Sequence, residues 1–284
     1  MHSFDHKNMM KNITILGVNI SQITKKEAIE TVGNWLSVPR VSSHFIATPN
    51  PEMLVLTQKD KEFRDVLNKA DLAIPDGIGL VWASKLLNLT NKTNKSNSTN
   101  NYLKERISGT DLMLSLCQLA AQKGYTVGLL GAREGVAEKT AETLKREFPG
   151  IKIKFAVSEI SPSRSPFGHL EGVLRCDFLF VAYGAPKQEK FIYDLKIESR
   201  KWKVEPSSIL RFKVAMGVGG AFDLISGKIK RAPKLMQNLG LEWLWRLGQE
   251  PKRIKRIWTA TVVFPWLVVK SFFKSQPQSD DTSD

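Results

Sequence analysis

The chain reads as an α/β protein built on a mainly parallel sheet, closed by a basic helical appendage. Three observations carry that expectation. Apolar strand-like runs alternate with amphipathic helical segments, several strand ends run straight into Gly- or Pro-containing turns, and 284 residues with 42% hydrophobic content suffice for one large core. The cationic excess gathers after residue 228, which marks off the appendage.

The elements follow in order. Ile13–Val18 reads as a strand, and Thr24-x-x-Glu27 is a capping box opening a helix with Ala28, Ile29, Val32, Trp35 and Leu36 on one face. His44–Thr48 is the next strand. It runs into Thr48-Pro49-Asn50-Pro51, where Asn50 suits an N-cap and Pro51 the first helical position, with a helix expected to about Ala70. Leu72–Ile74 then leads into the turn Pro75-Asp76-Gly77.

Asn88–Asn101 is almost entirely Asn, Thr, Ser and Lys, too polar to offset its ordering entropy, and is expected to be a mobile surface insertion. Thr110 is expected to cap a helix ending near Lys123-Gly124. Thr126–Leu130, the turn Gly131–Gly135, a helix to Phe148 and Ile151–Phe155 form one βαβ unit. After a polar stretch from Ser158 to Arg175, strands at Phe178–Tyr183 and Phe212–Val218 run into Gly184–Glu189 and Gly219–Asp223. In a parallel sheet ligands sit beyond the carboxyl ends of the strands.

Lys and Arg outnumber Asp and Glu by 42 to 28, giving a net charge of +14 that calls for an anionic partner such as nucleic acid, nucleotide or lipid headgroups. From Lys228 to Lys274 eleven basic residues face only Glu242 and Glu250, so that stretch alone carries +9. Trp243, Trp245, Trp258, Trp266 and Phe272 are interleaved with the charge, as in interfacial helices on anionic lipid, although tryptophans buried against the core would give the same pattern. The apolar run Ile257–Val269 is broken by Pro265 and falls short of the ~20 residues a spanning helix requires. The two cysteines, Cys117 and Cys176, have no metal-like spacing, and His2 and His6 stand in an N-terminus expected to be flexible. With Asp5 and Lys7 and no apolar run before Ile13, the N-terminus is not expected to be a secretory leader. A cytoplasmic protein, peripheral on the inner face of the membrane, is expected.

Chemistry is sought at the strand ends. The junctions at Asn50, Gly131–Gly135 and Gly184–Gln188 offer backbone N–H groups to a diphosphate, or are simply tight βα turns. Asp76 is either a general base or a turn residue, and Thr48 either a substrate ligand or a structural strand-end hydroxyl. No Asp-x-Asp pair occurs, so diphosphate charge would fall to cations among Arg106, Lys187, Arg246, Arg253 and Arg256, unless these are solvated surface residues. The segment Gly217-Val-Gly-Gly-Ala-Phe222 has Phe where a dinucleotide fingerprint ends in Gly. A basic nucleic-acid-binding protein is the competing class, testable by salt-sensitive binding to bulk DNA or RNA.

Six motifs in order bring a family into view. They are Thr48–Pro51, Ala70–Gly79, Glu105–Asp111, Gly184–Glu189, Gly217–Asp223, and Leu241–Leu247 with Glu250–Arg253. With these the chain closely resembles the WecG/TagA/CpsF glycosyltransferases. The resemblance implies a Rossmann-like core with helices on both faces and inverting transfer without a metal or other cofactor. It further implies a UDP-sugar donor, such as UDP-N-acetylmannosamine, its uronic acid or a related hexose, and an undecaprenyl-diphosphate-linked acceptor in surface or wall polymer synthesis. On this basis Asp76 is the expected base, assisted by Thr48. Asn50, Arg106 and Gln188 line the pocket, Gly219 and Gly220 border it, and Asp223 reads the uracil. Arg246, Arg253 and Arg256 belong to an appendage that docks on the anionic membrane and closes over the site. The expected organisation is a flexible stretch 1–12, a core 13–230, an appendage 231–274 and a disordered tail 275–284, with homo-oligomers left open and no nucleic-acid partner.

Overall fold

A computed structural model describes residues 11–38, 43–91, 101–158, 175–201, 211–233, 235–236 and 241–274. His2, His6, the tail 275–284 and most of both polar stretches, 92–100 and 159–174, lie outside the described residues, so the expectations placed on them stay there.

The chain opens with a hairpin, β1 (Asn12–Ile15) and β2 (Val18–Ser21), paired antiparallel apart from the main sheet. A single strand over Ile13–Val18 was expected. Leu16 and Gly17 both take positive φ (48° and 80°), and this two-residue turn reverses the chain in the middle of that span. Helix α1 (Lys25–Ser37) carries the predicted capping box: the Thr24 hydroxyl accepts the Glu27 N–H at 3.2 Å, and the Glu27 carboxylate accepts the Thr24 N–H at 2.7 Å.

Strand β3 (His44–Ala47) leads into α2 (Pro51–Leu56), capped by Asn50, whose Oδ1 accepts the Met53 N–H at 3.0 Å. The long helix expected to Ala70 is two helices. Asp60 accepts the Phe63 N–H at 2.8 Å and starts α3 (Lys61–Asn68) afresh, which competes with continuation through Thr57–Lys59. Strand β4 (Leu72–Ala73) follows, then α4 (Ile78–Asn91), so residues 88–91 of the expected mobile insertion are helical and Asn88 is buried. Helix α5 (Gly109–Lys123) is capped by Ser108 rather than Thr110, and Gly124 ends it at φ 74°.

The remaining elements are β5 (Thr126–Gly131), α6 (Val136–Glu147), β6 (Lys152–Val157), β7 (Arg175–Ala182), α7 (Lys187–Lys201), β8 (Arg211–Gly217) and α8 (Ala221–Ile225). The main sheet has six parallel strands in the order β4-β3-β8-β7-β5-β6, so the last two strands to be made fill its centre. One face is covered by α1, α5, α6 and α8 through Val32, Leu36, Leu112, Leu116, Leu144 and Phe222. The other carries α2, α3, α4, α7 and the hairpin through Leu54, Phe63, Leu80 and Ile192. Helices on both faces of a parallel sheet are the Rossmann-like arrangement that the alternation of elements predicts.

The C-terminal segment is α9 (Glu242–Gln249), a 3₁₀ turn Pro251–Arg253, α10 (Ile254–Trp258), a π-helical stretch Thr259–Val263 and α11 (Phe264–Lys274). It lies against α2 and α4, and Phe264 and Val268 are buried within the same core as α2 to α4. Burial of such a ring is worth roughly 2 kcal/mol, so this end is fastened to the core. Trp258 and Trp266 stay outside, 62% and 57% exposed. Among the described residues no helix is long and apolar enough to cross a membrane.

Candidate active site

The site is assembled beyond the carboxyl ends of β3, β4, β7 and β8. Thr48 leaves β3 buried, its hydroxyl donating to the Gly217 carbonyl at the end of β8 (3.2 Å). The Asp76 N–H donates to the Pro49 carbonyl (2.9 Å) and the Ile107 N–H to the Pro75 carbonyl (2.9 Å), which ties three loops together. Asp76 Oδ2 accepts the Gly109 N–H at 3.2 Å, and among the described residues no cation closes an ion pair with it. The fit favours a glycine: a Cβ at position 109 would stand 3.2 Å from Asp76 Oδ2 and 3.4 Å from Thr48 Cγ2, so the carboxylate would have to yield by a few tenths of an ångström.

Surrounding protein strips water from the Asp76 carboxylate and pushes its pKa up to about 6. Arg106 and the Gly109 N–H pull it down, Glu242 and Asp111 push it up, and desolvation prevails. A carboxylate held there is largely ionised at neutral pH yet more basic than an exposed one, which suits proton abstraction.

Gln188 is buried and fixed at both ends of its carboxamide. Its Oε1 accepts the N–H groups of Gly184 (3.1 Å) and Gly219 (3.0 Å), and its Nε2 donates to Glu189 Oε1 (2.7 Å). The Gly184 and Gly219 N–H groups are therefore not free for an anion: a side chain of the adjoining helix satisfies them first. Glu189 is fully buried, and burial raises its pKa to about 7.

Positive charge comes from the C-terminal segment. Arg253 pairs with Glu250 at 2.6 Å, Arg256 with Glu52, and Arg106 with Glu242 at 3.2 Å. Arg106 Nε is also buried without a hydrogen-bond partner, but Arg246 goes further: both its Nε and its Nη2 are buried and unpartnered among the described residues, and Glu250 stands 4.0 Å away, beyond hydrogen-bond reach. Burial, then neighbouring Arg253, lowers the pKa of Arg246, and leaving two donors unmade costs free energy that an anionic ligand would offset. Gly220 makes room for this guanidinium, since a Cβ there would meet Nη2 at 2.9 Å.

Two cavities meet at these residues. One of about 550 Å³ reaches Thr48, Gly184, Gln188, Gly219 and Gly220. The other, about 650 Å³, reaches Arg106, Glu242, Trp82, Leu86 and the C-terminal helices. Asn50, Asp76, Arg246, Arg253 and Arg256 line both. The carboxylates common to both walls are Glu52 and Asp76, and Glu52 is held by Arg256.

Four expected binding residues line neither cavity: Gly131, Gly135, Lys187 and Asp223. Gly131 packs on the Tyr183 ring, where a Cβ would come within 2.9 Å, and the Ala132 N–H is spent on the Ala182 carbonyl. This junction ends β5, on the far side of β7 from β8. Lys187 points to solvent, and half-buried Asp223 lies on α8 beside Leu224, which does line the larger cavity. Sequence reasoning passed over Gly109, Glu189, Glu242, Trp82 and Leu86. Gly109 stood inside a quoted motif, but nothing local marks a glycine as the donor to Asp76, and Glu242 meets Arg106 across 136 positions.

With this geometry in place, comparison with known proteins is informative. Residues 13–278 match the glycosyl transferase family described as WecG/TagA/CpsF. A Bacillus subtilis (strain 168) protein is 33% identical over 241 residues, 84% of this chain and 85% of its own length. A Bacillus spizizenii protein is 35% identical over 213 residues, covering 75% and 74%. A Staphylococcus aureus (strain MRSA252) protein is 26% identical over 267 residues, covering 94% and 96%. All three carry the name N-acetylglucosaminyldiphosphoundecaprenol N-acetyl-beta-D-mannosaminyltransferase. The chain thus belongs to the WecG/TagA/CpsF family of glycosyltransferases.

Proposed function

We propose that the protein transfers an N-acetylmannosamine-type sugar from a UDP-sugar to a polyprenyl-diphosphate-linked N-acetylglucosamine acceptor, with inversion and without a divalent metal, as a peripheral enzyme of the membrane surface. The observation that carries the reading is Asp76 on the wall shared by two cavities, with three arginines on the same wall. The relatives' names supply the sugar and the acceptor class.

In this reading the acceptor hydroxyl enters from the larger cavity and gives its proton to an Asp76 carboxylate oxygen. The freed oxygen attacks the anomeric carbon of a donor in the smaller cavity while the bond to the UDP diphosphate breaks and its electron pair departs with UDP. One displacement by the acceptor inverts the anomeric centre, and a UDP-α-sugar yields the β linkage of the relatives' names. Arg246, Arg253 and Arg256 meet the growing diphosphate charge, a role elsewhere given to a metal held by Asp-x-Asp, a pair the sequence does not contain. Exposed Trp258 and Trp266, amid the basic residues of α10 and α11, support attachment to anionic lipid.

The test is turnover of UDP-N-acetylmannosamine with a lipid-diphosphate N-acetylglucosamine acceptor, with the product linkage read by NMR, in the presence and absence of EDTA. A β-linked product formed at equal rates in both is expected. Retention at the anomeric carbon, or activity restored only by Mg²⁺ or Mn²⁺, overturns the mechanism, and no transfer from any UDP-hexose overturns the function.

A further inference from the structure

The larger cavity has two unlike ends. At one stand Asp76, Arg106 and the three C-terminal arginines, and at the other the walls are Trp82 and Leu86 of α4 facing Ala260, Pro265 and Val269. We propose that this apolar end is a channel for the polyisoprenoid tail of the acceptor, which it grips directly rather than leaving the tail to the bilayer. The proposal rests on the transferase reading above and adds a binding subsite to it.

Three features support the assignment. The apolar walls are unsealed: Trp82 is 70%, Leu86 39% and Val269 43% exposed, although α4 and α11 already touch through buried Phe264 and Val268. A seam between helices with no other occupant would bury such side chains. The polarity also runs in the order of a single amphiphile. Asp76 takes the sugar hydroxyl, and Arg106, which lines this cavity and not the smaller one and whose Nε is buried without a hydrogen-bond partner among the described residues, suits the acceptor's diphosphate. Beyond them α4, which begins two residues after Asp76, presents Trp82 and Leu86 one turn apart on one face. At 1.5 Å per residue that face extends about 12 Å from Ile78 to Leu86.

The floor is built for close approach as well. Gly79 lets α4 settle onto α2 and α11, because a Cβ there would stand 3.0 Å from Pro51 Cγ and 3.6 Å from the Phe264 ring. On the opposite wall Ala260 and Thr261 belong to the π-helical stretch, a local widening that departs from the regular helix beside it. Concavity decides between tail and bilayer. Trp82 and Leu86 line a cavity, whereas Trp258 and Trp266, which line neither cavity, project from the surface as side chains that meet a membrane do.

The experiment compares two acceptors of identical headgroup, one with a short and one with a long polyisoprenoid tail. Both are kept below their micelle-forming concentrations, without vesicles, using the full chain. Wild type is expected to favour the long tail by about tenfold in kcat/KM, and Trp82→Ala and Leu86→Gln to bring that ratio close to one. An equal loss on both acceptors means the variants act through the fold and overturns the proposal. So does a wild-type enzyme indifferent to tail length, or a preference that emerges only when vesicles are added. If neither acceptor turns over, the transferase reading is what fails. Binding of a long-chain polyprenyl phosphate, followed by the fluorescence difference between wild type and Trp82→Phe, then decides the channel: saturable quenching sustains it and none overturns it.

Discussion

The two sides of the site are made differently. The strand-end side is built from backbone, glycines and short side chains whose bonds close on one another, as when Gln188 clamps Gly184 and Gly219 while resting on buried Glu189. The C-terminal side is built from long side chains with exposed surface and, in Arg246, with donors left unmade. The first side is largely closed by its own hydrogen bonds without a ligand, although Glu189 Oε2 is buried with no partner among the described residues. The second is arranged for one, so a substitution on the first should change positioning and stability, and one on the second binding of charge.

Four predictions press on that contrast, the largest first. Asp76→Asn keeps the shape of the junction and removes the base, so kcat should fall by roughly 10²-fold or more while UDP affinity measured by calorimetry stays within about twofold. Arg246→Gln should cost about tenfold or more in kcat/KM and weaken UDP itself, because it removes charge from the wall facing the diphosphate. Equal UDP affinity in both variants would erase the distinction between the sides.

Gly220→Ala is subtler. The added Cβ meets only the far end of the Arg246 side chain, so thermal stability should hardly move while kcat/KM falls a few-fold. Glu189→Gln tests the strand-end side alone. Burial holds the folded-state pKa of Glu189 near 7, above its ordinary value of 4.5, so the folded protein keeps this proton where the unfolded chain has lost it. Wild-type stability from this group is greatest below pH 4.5 and is lost as pH rises to about 7. The glutamine variant should gain on wild type across that window, by roughly 3 kcal/mol, with Gln188 still held by an amide oxygen. A constant difference from pH 4 to 8 would show that Glu189 is not the titrating group.

The C-terminal segment also changes how membrane attachment must be tested. Deleting residues from 257 onward would expose the floor on which Phe264 and Val268 pack, so loss of vesicle binding would not separate anchoring from unfolding. Replacing exposed Trp258 and Trp266 by Ser leaves that floor in place.

Much of this was legible in the sequence because it is local. The Thr24 capping box, Asn50 before Pro51, the strand runs and the turn at Asp76 each depend on a handful of neighbouring residues. The exceptions were also local but competitive: Asp60 restarts a helix that Asn50 had begun, and Leu16-Gly17 folds one expected strand into a hairpin. What the sequence withheld is pairing across the fold. Whether the Gly219 N–H is free depends on Gln188 of α7, 31 positions earlier, and whether Asp76 is a turn residue or a base depends on Arg106, Gly109 and Glu242, far along the chain. The family motifs pointed to Asp76 and Gln188 but could not supply those surroundings.

The central claim is that Asp76 accepts the proton, and the pH dependence of kcat/KM tests it most directly. Because the carboxylate must be ionised, the profile should rise with unit slope and level off near pH 6, the value to which desolvation raises Asp76. Arg106 holds that value down, so Arg106→Gln should move the acidic limb to higher pH without abolishing it. A limb that stays in place in the Arg106 variant, or a wild-type profile flat from pH 5 to 8, would contradict the account.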